Sequence, residues 1–263
     1  MDPQILLALA SGALVGLTLG LVGGGGSILA VPLLVYVVGV SSPHAALGTS
    51  AVAVAASALF SLAGHARAAN VKWPCALTFA LSGIIGAALG ARAGQAVDGQ
   101  KLLALFGLLM LVVGAMMLRR RDALGNPDVR LTFESAPRLA PKLVLAGLGV
   151  GALSGFFGIG GGFLIVPGLI GATAMPMLNA VGSSLVSVAA FGATTATSYS
   201  LAGLVDWPVA GLFVAGGAAG GALGVLLARR LAGKKALLTP LFALLVIATG
   251  LYVLWQGAGT LLA

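Results

Sequence analysis

The stretch Gly23-Gly24-Gly25-Gly26-Ser27, followed by Pro32, and its echo Gly158-Ile159-Gly160-Gly161-Gly162, followed by Pro167, decide how this chain is read. Glycine inside a helix costs about 1 kcal/mol relative to alanine, so such runs interrupt a helix. The apolar segments behind them, Ile28 to Val40 and Phe163 to Ala174, have 13 and 12 residues. As helix each covers about 20 Å, short of a hydrocarbon core of roughly 30 Å. They are expected to be half-helices of re-entrant hairpins. Irregular backbone at membrane depth persists only where protein or an aqueous cavity satisfies its amides. A helix that restarts after such a break aims free N–H groups and the positive end of its dipole into that cavity, which favours an anion.

The chain around these runs is membranous in composition. Of 263 residues, 59% are hydrophobic and 8% charged, and the mean hydropathy is +1.11. Soluble domains carry about 25% charged residues, so a soluble or disordered protein is excluded. Every charged residue falls outside two neutral stretches, Pro3 to Ala66 and Leu143 to Val205. The net charge of +8 sits in loops between apolar runs, as expected beside an anionic cytoplasmic leaflet rather than on nucleic acid. A single cysteine, Cys75, excludes an internal disulfide and a multi-cysteine metal site. The opening Met1-Asp2-Pro3-Gln4 has no basic residue, so no cleavable signal peptide is expected. No cofactor and no metal are expected.

Ten apolar segments follow from the hydropathy: Ile5 to Val22, Ile28 to Val40, Ala45 to Leu62, Trp73 to Gly90, Leu102 to Leu118, Leu143 to Phe157, Phe163 to Ala174, Ala180 to Leu201, Trp207 to Leu227 and Ala236 to Trp255. They fall into a first transmembrane repeat, residues 1–118, a cytoplasmic linker, 119–142, and a second repeat, 143–263. A shift of 135 carries Gly16, Gly20, Gly23, Val31 and Pro32 onto Gly151, Gly155, Gly158, Val166 and Pro167. A shift of 134 carries Gly48, Ser50, Trp73, Pro74, Gly86 and Gly90 onto Gly182, Ser184, Trp207, Pro208, Gly220 and Gly224. Strict alternation with the Gly64 to Lys72 loop inside puts twelve Lys and Arg in the cytoplasm and leaves Arg92 and Lys101 outside. Equivalent loops then lie on opposite faces. The expectation is an all-α polytopic protein of two inverted repeats, with a binding site at their interface.

The candidate substrate-binding residues are Gly24, Gly25, Gly26 and Ser27, with Gly160, Gly161 and Gly162. Thr49 and Ser50, Ser183 and Ser184, and nearby Asn179 are added because hydroxyls and amides are uncharged donors suited to oxyanions. The same hydroxyls could instead cap or back-bond their own helices. Gly16, Gly20, Gly86, Gly90, Gly220 and Gly224 read as close helix packing, Thr194, Thr195 and Thr197 as packing residues, and His44 and His65 as interfacial. Asp2, Asp98, Asp122, Asp128, Glu134 and Asp206 all lie in termini or loops, which disfavours carboxylate-based proton coupling. Ser154-Gly155 has no convincing histidine base, so an intramembrane enzyme is disfavoured.

At Gly24-Gly25-Gly26-Ser27 through Pro32, and at Gly160-Gly161-Gly162 through Pro167, the chain resembles the sulfite exporter TauE/SafE (TSUP) family, whose glycine-rich, proline-terminated segment stands early in each of two homologous halves. Gly48-Thr49-Ser50 and Gly182-Ser183-Ser184 are similar to the family pattern too. The resemblance spans essentially the whole chain. It implies transport, with export the expected direction, of small sulfur-containing oxyanions such as sulfite or organosulfonates across a prokaryotic cytoplasmic membrane. The alternatives are an anion channel or a transporter of another small organic anion.

Overall fold

The computed structural model describes residues 3–119, 129, 131–158, 162–230, 243–244 and 246–256, and among them the fold is helical with no strand. α1 (Pro3–Val22) leads into a 3₁₀ segment (Gly23–Leu29), a single α-turn, α2 (Ala30–Pro32), and a π segment (Leu33–Val38). Then come α3 (Pro43–Arg67), α4 (Trp73–Gln95), α5 (Gly99–Arg119), α6 (Ala136–Phe156), α7 (Gly162–Thr173), α8 (Met177–Leu201) and α9 (Trp207–Arg230). A shorter apolar helix, α10 (Val246–Gln256), ends the described chain. Seven of these helices are long and apolar enough to cross a bilayer, which makes this a multi-pass membrane protein.

Two departures from the sequence expectation have local causes. α6 begins at Ala136 rather than Leu143, inside the stretch expected as linker; the rest of that linker, residues 120–128 and 130, lies outside the described residues. A turn at Thr132–Ser135, with Thr132 N donating to Ser135 Oγ at 2.9 Å, starts the helix early, and Pro137 sits in its first turn, where a missing N–H costs nothing. The first short segment is not a uniform α-helix. Pro32 has no N–H to give, and the backbone beyond it opens into π geometry.

Glycine stripes set the packing. Gly12, Gly16 and Gly20 of α1 meet the backbone of Phe213, Gly217 and Gly221 of α9 in matching order, so these helices run parallel. In the same way Gly147, Gly151 and Gly155 of α6 lie against Phe79, Gly83 and Ala87 of α4. α3 runs with α9, since Ser57 and Ser61 face Gly217 and Gly221, whereas Gly48 beside Tyr199 and Gly192 beside Ala51 make α3 and α8 antiparallel. Gly83 beside Phe191 and Gln95 beside Ser198 align α8 with α4. Thus α1, α3 and α9 point one way, and α4, α6 and α8 the other. α3 and α8 cross at the centre of this arrangement.

The helix directions sort the charges. Arg67, Lys72, Arg138, Lys142 and Arg230 collect on one face, where α3 and α9 end and α4 and α6 begin. Arg92, Asp98, Lys101 and Asp206 stand on the opposite face. We refer to the first as the basic face.

The backbone repeats itself at its strained points. Among the described residues, those with positive φ are Gly23 and Gly158, Gly39 and Ala174, Ala69 and Gly203, three pairs related by the sequence shifts. Two positions thus carry an alanine where the partner carries glycine, at φ +55° and +57°. The left-handed conformation costs a residue with a Cβ about 1–2 kcal/mol, and both alanines are exposed. Ala69→Gly and Ala174→Gly should therefore each stabilise the protein by about 0.5–1 kcal/mol, after the extra unfolded-state entropy of glycine is subtracted. Thermal unfolding in detergent checks this; a lower Tm in both variants contradicts the geometry. Gly151→Leu, whose Cβ would run into the Gly83 carbonyl, should cost about 3 kcal/mol or more. Gly149→Leu, with open space at that position, should be tolerated in the same assay.

Candidate functional site

Each interruption opens on a left-handed glycine, Gly23 (φ +70°) and Gly158 (φ +62°), a backbone state that glycine adopts without steric cost. The surroundings are closed as well: a Cβ at Gly23 would lie 2.9 Å from the Val181 side chain, and one at Gly158 2.7 Å from Leu47 Cβ. Gly23 therefore nests on the start of α8 and Gly158 on the start of α3, each held by the other half.

The two glycines do not face one another. Gly158 O accepts from Ser50 near the start of α3, whereas Gly20 O, three residues before Gly23, accepts from His65 at the end of α3. From Ser50 to His65 is about 22 Å of helix. What converges is the chain beyond each glycine: Gly26 folds back onto Thr18 and Leu19 of α1, and the 3₁₀ segment packs against α7. Gly24, Gly25, Gly26 and Ser27 belong to that segment, and Ser27 is fully buried. Gly162 opens α7; Gly160 and Gly161 lie outside the described residues.

The two polar clusters act across the halves. A Cβ on Gly48 would strike the Leu204 carbonyl, and one on Gly182 the Asn70 carbonyl. One residue on, Thr49 Oγ1 accepts from Asp206 N at 2.9 Å, and Ser183 Oγ accepts from Lys72 N at 2.9 Å. One further, the single Ser50 Oγ proton is shared between Leu47 O at 2.8 Å and Gly158 O at 2.9 Å. Its counterpart Ser184 donates to Val181 O at 2.8 Å and lies against Gly23. Each tripeptide thus has a division of labour: a glycine admits a loop carbonyl, a hydroxyl receives a loop N–H, and a serine braces the glycine break. All four hydroxyl residues are fully buried, and all of them have protein partners.

Other candidates are placed as follows. Asn179 Nδ2 donates to Asn70 O at 3.2 Å. Asn70 Nδ2 lies 3.4 Å from His65 Nδ1, and His65 Nε2 lies 3.2 Å from Gly20 O. A carbonyl can only accept, so Nε2 carries the proton and Nδ1 receives the amide. His65 is 2% exposed; it is a buried link between α1 and α3 rather than an interfacial residue, because Gly20 brings a backbone carbonyl to it. Thr195 is buried in the helix packing. Thr194 and Thr197 bond back to Ala190 and Ala193 and also line a cavity of about 610 Å³ with Arg92, Gln95 and Ser198. The sequence reading missed those three because they have no counterparts in the other half; the spacing Thr194, Thr197, Ser198, one helix face, carried the signal. Asp98 and Asp206 cap α5 and α9. Ser154 is buried without a hydrogen-bond partner among the described residues.

The chain is 51% identical over 260 residues to a probable membrane transporter protein of Xylella fastidiosa (strain 9a5c), covering 99% of this chain and 98% of that one. It is 25% identical over 277 residues to the probable membrane transporter protein YunE of Bacillus subtilis (strain 168), covering 97% and 98%. A probable membrane transporter protein of Haemophilus influenzae shares 31% over 190 residues, 68% of this chain and 67% of the relative. No solved structure matches. The sequence model of Sulfite exporter TauE/SafE matches residues 8–253, and with the paired, cross-braced glycine breaks at its centre the chain belongs to that family of membrane transporters.

Proposed function

We propose that the protein carries a small sulfur-containing oxyanion, sulfite or an organosulfonate, out of the cell across the cytoplasmic membrane, and that the anion binds where the first 3₁₀ segment meets the start of α7. The observation that carries this reading is the convergence of two interrupted segments, folding inward from opposite ends of α3 and packing on each other. A 3₁₀ or α-helical start leaves backbone N–H groups without intrahelical partners, and these are uncharged donors for oxyanion oxygens. Gly24 and Gly25, with Gly160, Gly161 and Gly162, supply the donors, and Gly26 and Ser27, one turn into the 3₁₀ segment, shape the wall beside them. Thr49, Ser50, Asn179, Ser183 and Ser184 hold the segments that carry them.

The opposed directions of sequence-equivalent helices support an inverted duplication, and such a scaffold exposes one site to each side in turn. Gly23, Gly26, Ser27, Ile28 and Ala30 are buried, which favours a gated carrier over an open channel. With the basic face in the cytoplasm, an anion leaving a negative-inside cell gains about 2.3 kcal/mol per charge per 100 mV. No co-ion is needed for net export.

Purified protein in liposomes loaded with labelled sulfite, methanesulfonate or sulfate should show saturable efflux that follows the membrane potential and is indifferent to a pH gradient. Flux strictly dependent on a proton gradient would overturn the uncoupled mechanism. Gly25→Val and Gly162→Val should abolish this flux while the protein stays in the membrane; wild-type rates in both remove the assigned site. Ser50→Ala should lower stability by about 1–3 kcal/mol, the cost of leaving the Gly158 carbonyl unbraced. A raised KM for the anion at unchanged stability would instead make this hydroxyl a ligand contact.

A further inference from the structure

The cavity of about 610 Å³ between α4 and α8 contains none of the break residues. It opens where both helices end, on the face opposite the basic one. Arg92, Gln95 and Ser198 line it together with Thr194 and Thr197. Three observations show what it would hold.

The first is an exposed cation without a protein counter-ion among the described residues. Arg92 has no hydrogen bond or ion pair to any described residue. The two described carboxylates on that face are engaged elsewhere: Asp98 Oδ1 accepts from Gln100 N and Lys101 N, each at 3.1 Å, and Asp206 Oδ1 accepts from Val209 N at 3.1 Å. The second is a hydroxyl with a proton to give. Gln95 Nε2 donates to Ser198 Oγ at 3.0 Å, which fixes that oxygen as an acceptor and leaves its own proton without a described partner. Thr194 and Thr197 have already given their protons to Ala190 O and Ala193 O.

The third is that the scaffold does not require this polarity. The sequence shift of 134 places Leu226, Phe60 and Gly64 where the cavity has Arg92, Thr194 and Ser198, although Arg229 stands where it has Gln95. The equivalent helix pair, α3 and α9, has no guanidinium at the Arg92 position and no hydroxyl at the Thr194 and Ser198 positions. The pairing of Arg92 with Ser198 thus belongs to one face of the membrane alone.

We propose that this cleft is a second oxyanion site, in which the Arg92 guanidinium and the Ser198 hydroxyl hold a sulfonate, sulfite or phosphate group. Guanidinium presents a planar fork to two oxygens of such a group, and Ser198 supplies a third donor. Ala88, Leu201 and Ala202 complete the wall and accept an apolar substituent. The same chemistry reaches the cleft from two sources: a free organic oxyanion on the non-basic side, or the phosphate of an anionic lipid, because Leu89 and Leu201 beside the cleft are exposed to the bilayer.

The test uses the full chain with Arg92→Gln, Ser198→Ala and, as a charge control on the same face, Lys101→Gln. In one arm the protein is held in phosphatidylcholine nanodiscs and titrated with methanesulfonate and inorganic phosphate by calorimetry. In the other it is mixed with phosphatidylglycerol in detergent and retained lipids are counted by native mass spectrometry. The expected result is binding by wild type that Arg92→Gln weakens at least tenfold, Ser198→Ala several-fold and Lys101→Gln not at all. Loss in the calorimetric arm assigns a free solute, and loss in the lipid arm a headgroup. No wild-type binding in either arm, or equal binding by all variants in both, overturns the site. Should Arg92→Gln fail to fold, Ser198→Ala against wild type carries the comparison. In the calorimetric arm every protein also carries Gly25→Val, which removes the central site from the titration, so the cleft alone is read and the two proposals fail separately.

Discussion

A peptide group in hydrocarbon has no water to turn to, and this constraint organises the whole molecule. An unbroken helix meets it unaided. A chain that interrupts its helices must find other partners for the groups it frees, each of which costs several kcal/mol if left bare. Here the partners come from more than a hundred residues away in the chain: Ser50 holds the carbonyl of Gly158, and Thr49 and Ser183 receive N–H groups from the loops before α9 and α4. The breaks exist because a neighbouring helix pair, α3 and α8, was available to satisfy them.

That satisfaction needs helices closer together than ordinary side chains allow. Between lipid tails and leucine there is little hydrophobic difference, so helices in a bilayer associate through close contact. The stripes on α1 with α9, and on α4 with α6, bring backbones into direct contact at Gly16, Gly151 and their neighbours. Larger apolar residues, such as Leu81, Ile85 and Leu89 of α4, are turned outward and are more than half exposed. Along these stripes small residues lie at the contacts and bulky ones face lipid, while Phe79, Phe191, Phe213 and Tyr199 fill the interior between the helix pairs.

Most of this architecture is legible in the sequence because it rests on local signals. Neutral runs of about 20 residues give the long helices, glycine runs give the interruptions, and the Trp-Pro pairs at Trp73 and Trp207 mark the starts of α4 and α9 where the structure has them. The finer geometry depends on contacts between residues a hundred or more positions apart. Nothing near Thr49 says that its oxygen will meet Asp206 N, and nothing near Gly158 says that its carbonyl will meet Ser50, about 22 Å of helix from the His65 that holds the Gly20 carbonyl. Nor does the sequence symmetry say that the hinges Gly23 and Gly158 lie toward opposite ends of α3 while the 3₁₀ segment packs against α7. The search for symmetry also hid Arg92, Gln95 and Ser198, since a residue without a counterpart looks incidental.

Cross-bracing bears on how such a chain is made. As the ribosome delivers the N-terminal half, Ser50 and Thr49 enter the bilayer before Gly158 and Asp206 have been synthesised, and the nest that Val181 and Ser184 form around Gly23 does not yet exist. The early half must therefore wait in a provisional state, its interrupted segment sheltered by water, lipid headgroups or the insertion machinery. Maturation is then a joint event, in which the late half completes the early one while being completed by it.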